Sequence, residues 1–248
     1  MAKVGVFKLS SCSGCQLQLL GLGPELARVE DLELAPFPEA TSRAYDGPLD
    51  LALVEGSVST PAQLDEVRAI RARALEVVAI GACAVSGGVQ ALRNQRFGPA
   101  WCERAYPHPE LLEVLDRSTP LSAHVSVDAE TSGYPVDEDA LRRALSALLR
   151  GEKPRQVSTP VCVECKRAGV TCLLVTGLSA CAGPTSRGGC GAVCPRQGRG
   201  CFACFGPLPR APDEAPDEAD APASRALIAP PSTGLFHARG RDPEANDA

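Results

Sequence analysis

Eight cysteines lie between positions 162 and 204 of this chain, in a stretch rich in glycine and poor in periodic apolar residues. Burial alone cannot build a core from so few apolar side chains, so something else must hold the segment together. The spacings are Cys162-x2-Cys165-x6-Cys172-x8-Cys181, then Cys190-x3-Cys194-x6-Cys201-x2-Cys204, which divides into two sets of four. Four thiolates hold either a tetrahedral zinc ion or a cubane iron–sulfur cluster. Zinc ribbons usually pair two close couples across a longer span. Here the first set opens on a close pair and then places single cysteines further out, and the second set ends on a close pair. That pattern wraps a bulky cluster better than it grips one ion. Gly183, Gly188, Gly189, Gly191, Gly198 and Gly200 lie among these cysteines and let backbone N–H groups approach cluster sulfurs. Clusters are favoured over zinc on these grounds, and a zinc-stabilised structural protein is the alternative from a different class.

A disulfide framework ranks third. The opening residues, "MAKVGVFKLSSC", show no charged leader, no extended apolar core and no twin-arginine pair, so the expectation is a cytoplasmic protein with reduced thiols. The chain has twelve cysteines, three times four. The remaining four are Cys12, Cys15, Cys83 and Cys102. A formal net charge of −5 without a long basic block argues against a nucleic-acid partner. No apolar run approaches the roughly 20 residues of a membrane span, so no direct membrane insertion is expected.

Residues 1–154 alternate strand and helix patterns. "VGVFKLS" reads as a strand ending at the Cys12–Cys15 pair, and "QLQLLGLGPELARV" follows with helical spacing. "LELAPF" and "LDLALVEGSV" read as strands, the latter ending at Glu55. Thr60 is an N-cap and Pro61 the first residue of the next helix. "LEVVAIGACAVSGG" reads as a strand ending at Cys83, and "LSAHVSVDAETSGYP" as a weaker alternating strand. "VDEDALRRALSALLRGEKP" is an amphipathic helix stopped by Gly151 and Pro154. Such alternation implies an α/β domain with a doubly wound parallel sheet. In such sheets the functional crevice lies beyond the carboxyl ends of the strands. Cys12, Cys15, Glu55, Cys83 and the "SGYP" turn all fall there.

Other sites lose on inspection. Gly21, Gly23, Gly87 and Gly88 make neither a dinucleotide fingerprint nor a phosphate loop. His108, His124 and His237 stand apart from the cysteines in sequence and read as packing or surface residues. Asp137, Glu138 and Asp139 open a helix, where negative charge favours the helix dipole. Residues 209–248 form a Pro, Ala and acidic tail, read as flexible and without function of its own.

Six motifs occur together and in order: "SCSGCQLQLL", "VEGSVST", "IGACAVSGGVQALRN", "GYPVDE", "PVCVECK" and "CAGPTSRGGCGAVCPRQGRGCFACFGP". On these, over residues 3–206, the chain resembles the small (delta) subunits of cytoplasmic, multisubunit, sulfhydrogenase-like nickel–iron hydrogenases. The related respiratory complex I subunit is less similar, with adjacent cysteines in place of "CSGC" and no eight-cysteine extension. The resemblance implies a flavodoxin-like domain over 1–154 with a proximal 4Fe–4S cluster, and an irregular domain over 155–208 with two more. It assigns Cys12, Cys15 and Cys83 to the proximal cluster, Cys162, Cys165, Cys172 and Cys181 to the distal one, and Cys190, Cys194, Cys201 and Cys204 to the medial one.

There is one departure. The family's fourth proximal cysteine sits in a "GCP" turn, and this chain has Gly133-Tyr134-Pro135. Cys102, in the crossover, is the favoured substitute and Tyr134 the alternative. The implied function is non-catalytic electron transfer: three 4Fe–4S clusters relaying electrons between a large subunit's nickel–iron site and flavin- and nicotinamide-binding subunits. Glu55 is read as a structural or interface carboxylate, with a proton-transfer role as the lesser reading. The equivalent subunit of a quinone-linked or energy-converting complex is the runner-up.

Overall fold

The computed structural model describes residues 2–208, except 27, 29–31, 35, 97–99 and 156. The tail from 209, with His237, lies outside the described residues. β1 (Ala2–Lys8) leads into α1 (Gly14–Gly21) and a short α2 (Gly23–Leu26). β2 (Leu32–Leu34) and β3 (Leu49–Glu55) follow, then α3 (Pro61–Arg73) and β4 (Ala74–Ile80). A helical turn, α4 (Gly81–Ser86), comes directly after β4. The crossover then holds α5 (Arg93–Arg96) and α6 (Ala100–Ala105) before β5 (Ala129–Thr131) and α7 (Glu138–Leu149). The five strands pair in parallel in the order β2-β1-β3-β4-β5. This is the flavodoxin-like order, whose topological switch point lies between β1 and β3.

Side chains alternate across the sheet and fill two cores. On one face Val4, Val6, Leu51, Leu53, Val78 and Ile80 pack with Leu19, Leu141 and Leu145 of α1 and α7. On the other, Phe7, Ala52, Val54, Val77 and Ala79 pack with Val67 and Ile70 of α3. Central strands buried on both faces read as continuous apolar runs, which is why the sequence displayed them plainly. The helix ends also follow the sequence. Thr60 Oγ1 accepts the Gln63 N–H at 3.2 Å, and the Asp137 carboxylate accepts the Ala140 N–H at 2.9 Å.

Two strand boundaries differ from expectation. The run "LEVVAIGACAVSGG" is strand only to Ile80, and Cys83 sits in α4 rather than on a strand end. Gly81 has φ +80, a left-handed conformation that ends the strand and turns the chain. The weak strand in "LSAHVSVDAETSGYP" shrinks to Ala129–Thr131, with a 3₁₀ turn at Leu121–Ala123. Leu121 is fully buried there, and His124 Nε2 lies 2.7 Å from Thr119 Oγ1, a local packing role.

Among the described residues beyond 157 regular structure is sparse: α8 (Val161–Arg167) and α9 (Val193–Arg196). Among the described residues, a hydrophobic cluster of this region holds Val161, Ala192 and Cys201, with Cys165, Cys181 and Cys190 packed against it. Most of that cluster is cysteine, as expected of a segment whose thiols must do the work of a core.

Candidate metal centres

The ends of β1, β3, β4 and β5 lie in one register row, with Lys8 opposite Glu55, Glu55 opposite Ile80 and Ile80 opposite Thr131. The segments that leave these four ends therefore meet at one edge. After β1, Ser10 and Ser57 exchange backbone hydrogen bonds of 3.2 and 3.0 Å, which carries the chain past Glu55. Cys12 follows, exposed, and Cys15 occupies the first turn of α1 at 5% exposure.

The N-cap residue of α1, Ser13, has φ 64 and makes no capping bond with its side chain. Glu55 does that job from β3. Its carboxylate, 1% exposed, accepts the N–H groups of Cys15 at 3.1 Å and Gln16 at 3.3 Å. An anion at a helix N-terminus satisfies otherwise orphaned donors and meets the positive end of the dipole. The structural reading of Glu55 fits this geometry.

Two glycines allow the thiols to close together. A Cβ on Gly81 would sit 2.3 Å from Cys15 Sγ, and one on Gly88 would sit 2.6 Å from Cys83 Sγ. The Val136 N–H bonds Cys15 Sγ, the Val89 N–H bonds Cys83 Sγ, and Gln90 Oε1 lies 3.2 Å from Cys83 Sγ. Burial pushes the Cys15 thiol up to about 12 and the Cys83 thiol up to about 11, with the charge of Glu55 adding to both. Thiolates so placed need a cation, and a metal supplies one.

Tyr134 stands beside this trio. Burial, and then the charges of Cys12, Cys83 and Cys15, raise its phenol above the ordinary value. Cys102 sits half-buried on α6, with its carbonyl accepting the Tyr106 N–H at 3.0 Å.

The eight later cysteines gather around one another. Cys165 feels Cys162, Cys181, Cys190 and Cys172, and Cys204 feels Cys190, Cys201 and Cys194. Backbone N–H groups point at sulfur: Gly183 to Cys181 at 3.4 Å, Cys201 to Cys181 at 3.1 Å, and Ala203 to Cys201 at 3.4 Å. Gly200 is required, because a Cβ there would lie 1.9 Å from the Ala180 carbonyl oxygen. Burial pushes Cys201 up to about 11 and Cys204 up to about 12.

All twelve cysteines are free thiols. Among the described residues, no three His, Cys, Asp or Glu side chains converge tightly enough to hold a single metal ion. Buried thiols met by backbone N–H groups suit iron–sulfur ligation. Sequence reasoning missed three contributors. Glu164 accepts hydrogen bonds from the Cys190 loop, Gln16 is fully buried with both amide atoms unpartnered, and the Tyr134 N–H bonds Cys204. Only Glu164 carried a signal, as a carboxylate between two cysteines of one close pair.

A parallel α/β sheet with cysteines at its carboxyl edge, followed by a segment built around eight more, defines a class of iron–sulfur oxidoreductase subunits. Residues 12–148 match the family described as "NADH ubiquinone oxidoreductase, 20 Kd subunit", and the chain belongs to that family. It is 37% identical over 207 residues to Sulfhydrogenase 2 subunit delta of Pyrococcus furiosus, covering 83% of this chain and 86% of that protein. It is 29% identical over 249 residues to a subunit of the F420-non-reducing hydrogenase of Methanothermobacter marburgensis, covering 86% of this chain and 80% of that one. Among solved structures, a chain of an NAD+-reducing [NiFe]-hydrogenase in the H2-reduced state superposes with a TM-score of 0.55 at 27% identity, over 62% of this chain and 94% of that one. Among the described residues no helix is long and apolar enough to cross a membrane.

Proposed function

We propose that the chain is the electron-transfer small subunit of a cytoplasmic nickel–iron hydrogenase. The observation that carries this reading is the gathering of buried thiols at the carboxyl edge of the sheet and in the segment beyond it, joined where the Tyr134 N–H bonds Cys204. The Tyr134 phenol feels the charges of Cys12, Cys83 and Cys15, and its backbone N–H bonds Cys204. The second set meets the third through Cys181, whose Sγ accepts the Cys201 N–H. Names and coverage of the relatives support the same assignment.

On this reading Cys12, Cys15 and Cys83, with Tyr134 as the fourth contact, hold a proximal 4Fe–4S cluster. Cys190, Cys194, Cys201 and Cys204 hold the medial cluster, and Cys162, Cys165, Cys172 and Cys181 the distal one. Each cluster when bound supplies one-electron redox chemistry. The chain contributes the thiolates, the N–H groups that stabilise charge on sulfur, and the burial that sets potential. The exposed edge with Cys12, Tyr134 at 42% and Leu17 at 57% exposure meets the large subunit that holds the nickel–iron site. Cys172, exposed in its set, marks the end from which electrons pass to a flavin and nicotinamide module.

The family description invites the quinone-linked reading. Its match, however, ends at residue 148, while the sulfhydrogenase match covers 83% of the chain. The test is to purify the chain anaerobically with its partners and measure iron, acid-labile sulfide and zinc, then add hydrogen and follow the cluster absorbance. About 12 iron and 12 sulfide per chain, bleached by hydrogen, is expected for three cubanes. Stoichiometric zinc without iron would overturn the reading, and clusters reduced by a quinol but not by hydrogen would transfer it to the runner-up.

A further inference from the structure

Glu164 lies between Cys162 and Cys165 in α8, yet its carboxylate turns away from that pair toward the other cysteine set. Oε1 accepts the Gly189 N–H at 2.7 Å, and Oε2 accepts the Ala192 N–H at 3.1 Å. The same Oε2 lies 3.8 Å from Cys190 Sγ. The two bonds straddle Cys190 and tie its loop to the helix that carries the first close pair. The fit is close. A Cβ on Gly188 would lie 3.3 Å from the Glu164 carboxyl carbon, and Ala192 takes φ 56 with no exposed surface.

A carboxylate oxygen is thus the group set against Cys190 Sγ. A fixed anion against a ligand sulfur makes an added electron less welcome, so it lowers the potential of the cluster that sulfur holds.

We infer that Glu164 is a positioning residue for electron transfer: it clamps the Cys190 loop against α8 and keeps the cluster bound by Cys190 at low potential. The inference rests on the proposed function, because it requires a cluster at Cys190.

The experiment uses the whole purified complex, with Glu164→Gln and Glu164→Asp compared with wild type. Iron and sulfide are counted first, then each cluster is titrated by EPR-monitored potentiometry. Wild-type chain without iron would defeat the proposed function and is read before any variant. With clusters present, Glu164→Gln is expected to keep the wild-type iron count. It should move one midpoint upward by about tenfold in the reduction equilibrium, about 59 mV for one electron. Glu164→Asp, which keeps the charge, is expected to stay nearer wild type. Unchanged midpoints in Glu164→Gln, or equal shifts in the two variants, would overturn the inference. If Glu164→Gln instead loses iron, full iron in Glu164→Asp supports the requirement for a carboxylate, and loss in both overturns it.

Discussion

The backbone N–H of Tyr134 donates to Cys204 Sγ while the phenol of the same residue feels the charges of Cys12, Cys83 and Cys15. One residue at the end of β5 thereby links the sheet edge to the cysteine-rich region. The Ala82 N–H bonds the Gly133 carbonyl at 2.7 Å, which fixes the turn against α4, the helix bearing Cys83. Any group bound by the first trio is therefore a neighbour of one bound by Cys204.

That arrangement predicts which residue completes the first set. Cys102→Ala is expected to keep the full complement of about 12 iron, as three cubanes require. Tyr134→Phe is expected to keep the iron of the other two sets but change the EPR signal of the first. A fall to about 8 iron in Cys102→Ala, the loss of one cubane of four, would return the fourth position to Cys102.

Glu55 is the second target. Glu55→Ala leaves the buried N–H groups of Cys15 and Gln16 without their acceptor. Each such orphan costs about 1–3 kcal/mol. The variant should therefore show a lower Tm and lose iron from the first set, with Glu55→Gln intermediate. Unchanged iron and Tm in Glu55→Ala would show that α1 is held by something else.

Gly81 should tolerate no side chain. Its φ of +80 alone costs an L residue about 1–2 kcal/mol, and an added Cβ would overlap Cys15 Sγ. Gly81→Ala is expected to cost more than about 2 kcal/mol and to release the first set's iron preferentially. Gly177→Ala is the control, since its φ of +70 is similar but an added Cβ there meets nothing within 4 Å. Equal iron retention in both would contradict the steric argument.

A pH dependence follows from Asp128. Burial pushes its carboxyl up, but the Val77 N–H at 2.7 Å and the Arg71 guanidinium at 2.5 Å outweigh that and hold it below the ordinary value. A depressed carboxyl stabilises the fold above its unfolded value of about 3.9, and that contribution is lost as pH falls through the folded value. The side chain is 39% exposed, so solvent screening limits the effect to about 1 kcal/mol or less. Asp128→Asn should melt slightly below wild type at pH 7, with the difference vanishing at about pH 2. A gap that widened on acidification would refute this sign.

The parallel sheet, the helix caps at Thr60 and Asp137, and a cysteine-rich segment short of ordinary core were all legible in sequence. Each depends on local periodicity or on spacing along the chain. Cys83 was placed at the right edge but on the wrong element, because an apolar run does not reveal where a left-handed glycine ends a strand. What only the tertiary structure decided spans many residues. Glu55 caps a helix 40 positions away, Glu164 braces a loop 25 positions on, and the Tyr134 N–H bonds Cys204. Spacing specifies how many thiols can act together. Which polar group completes and tunes their site depends on strand register and on close approaches permitted by glycine, and these exist only once the chain is folded.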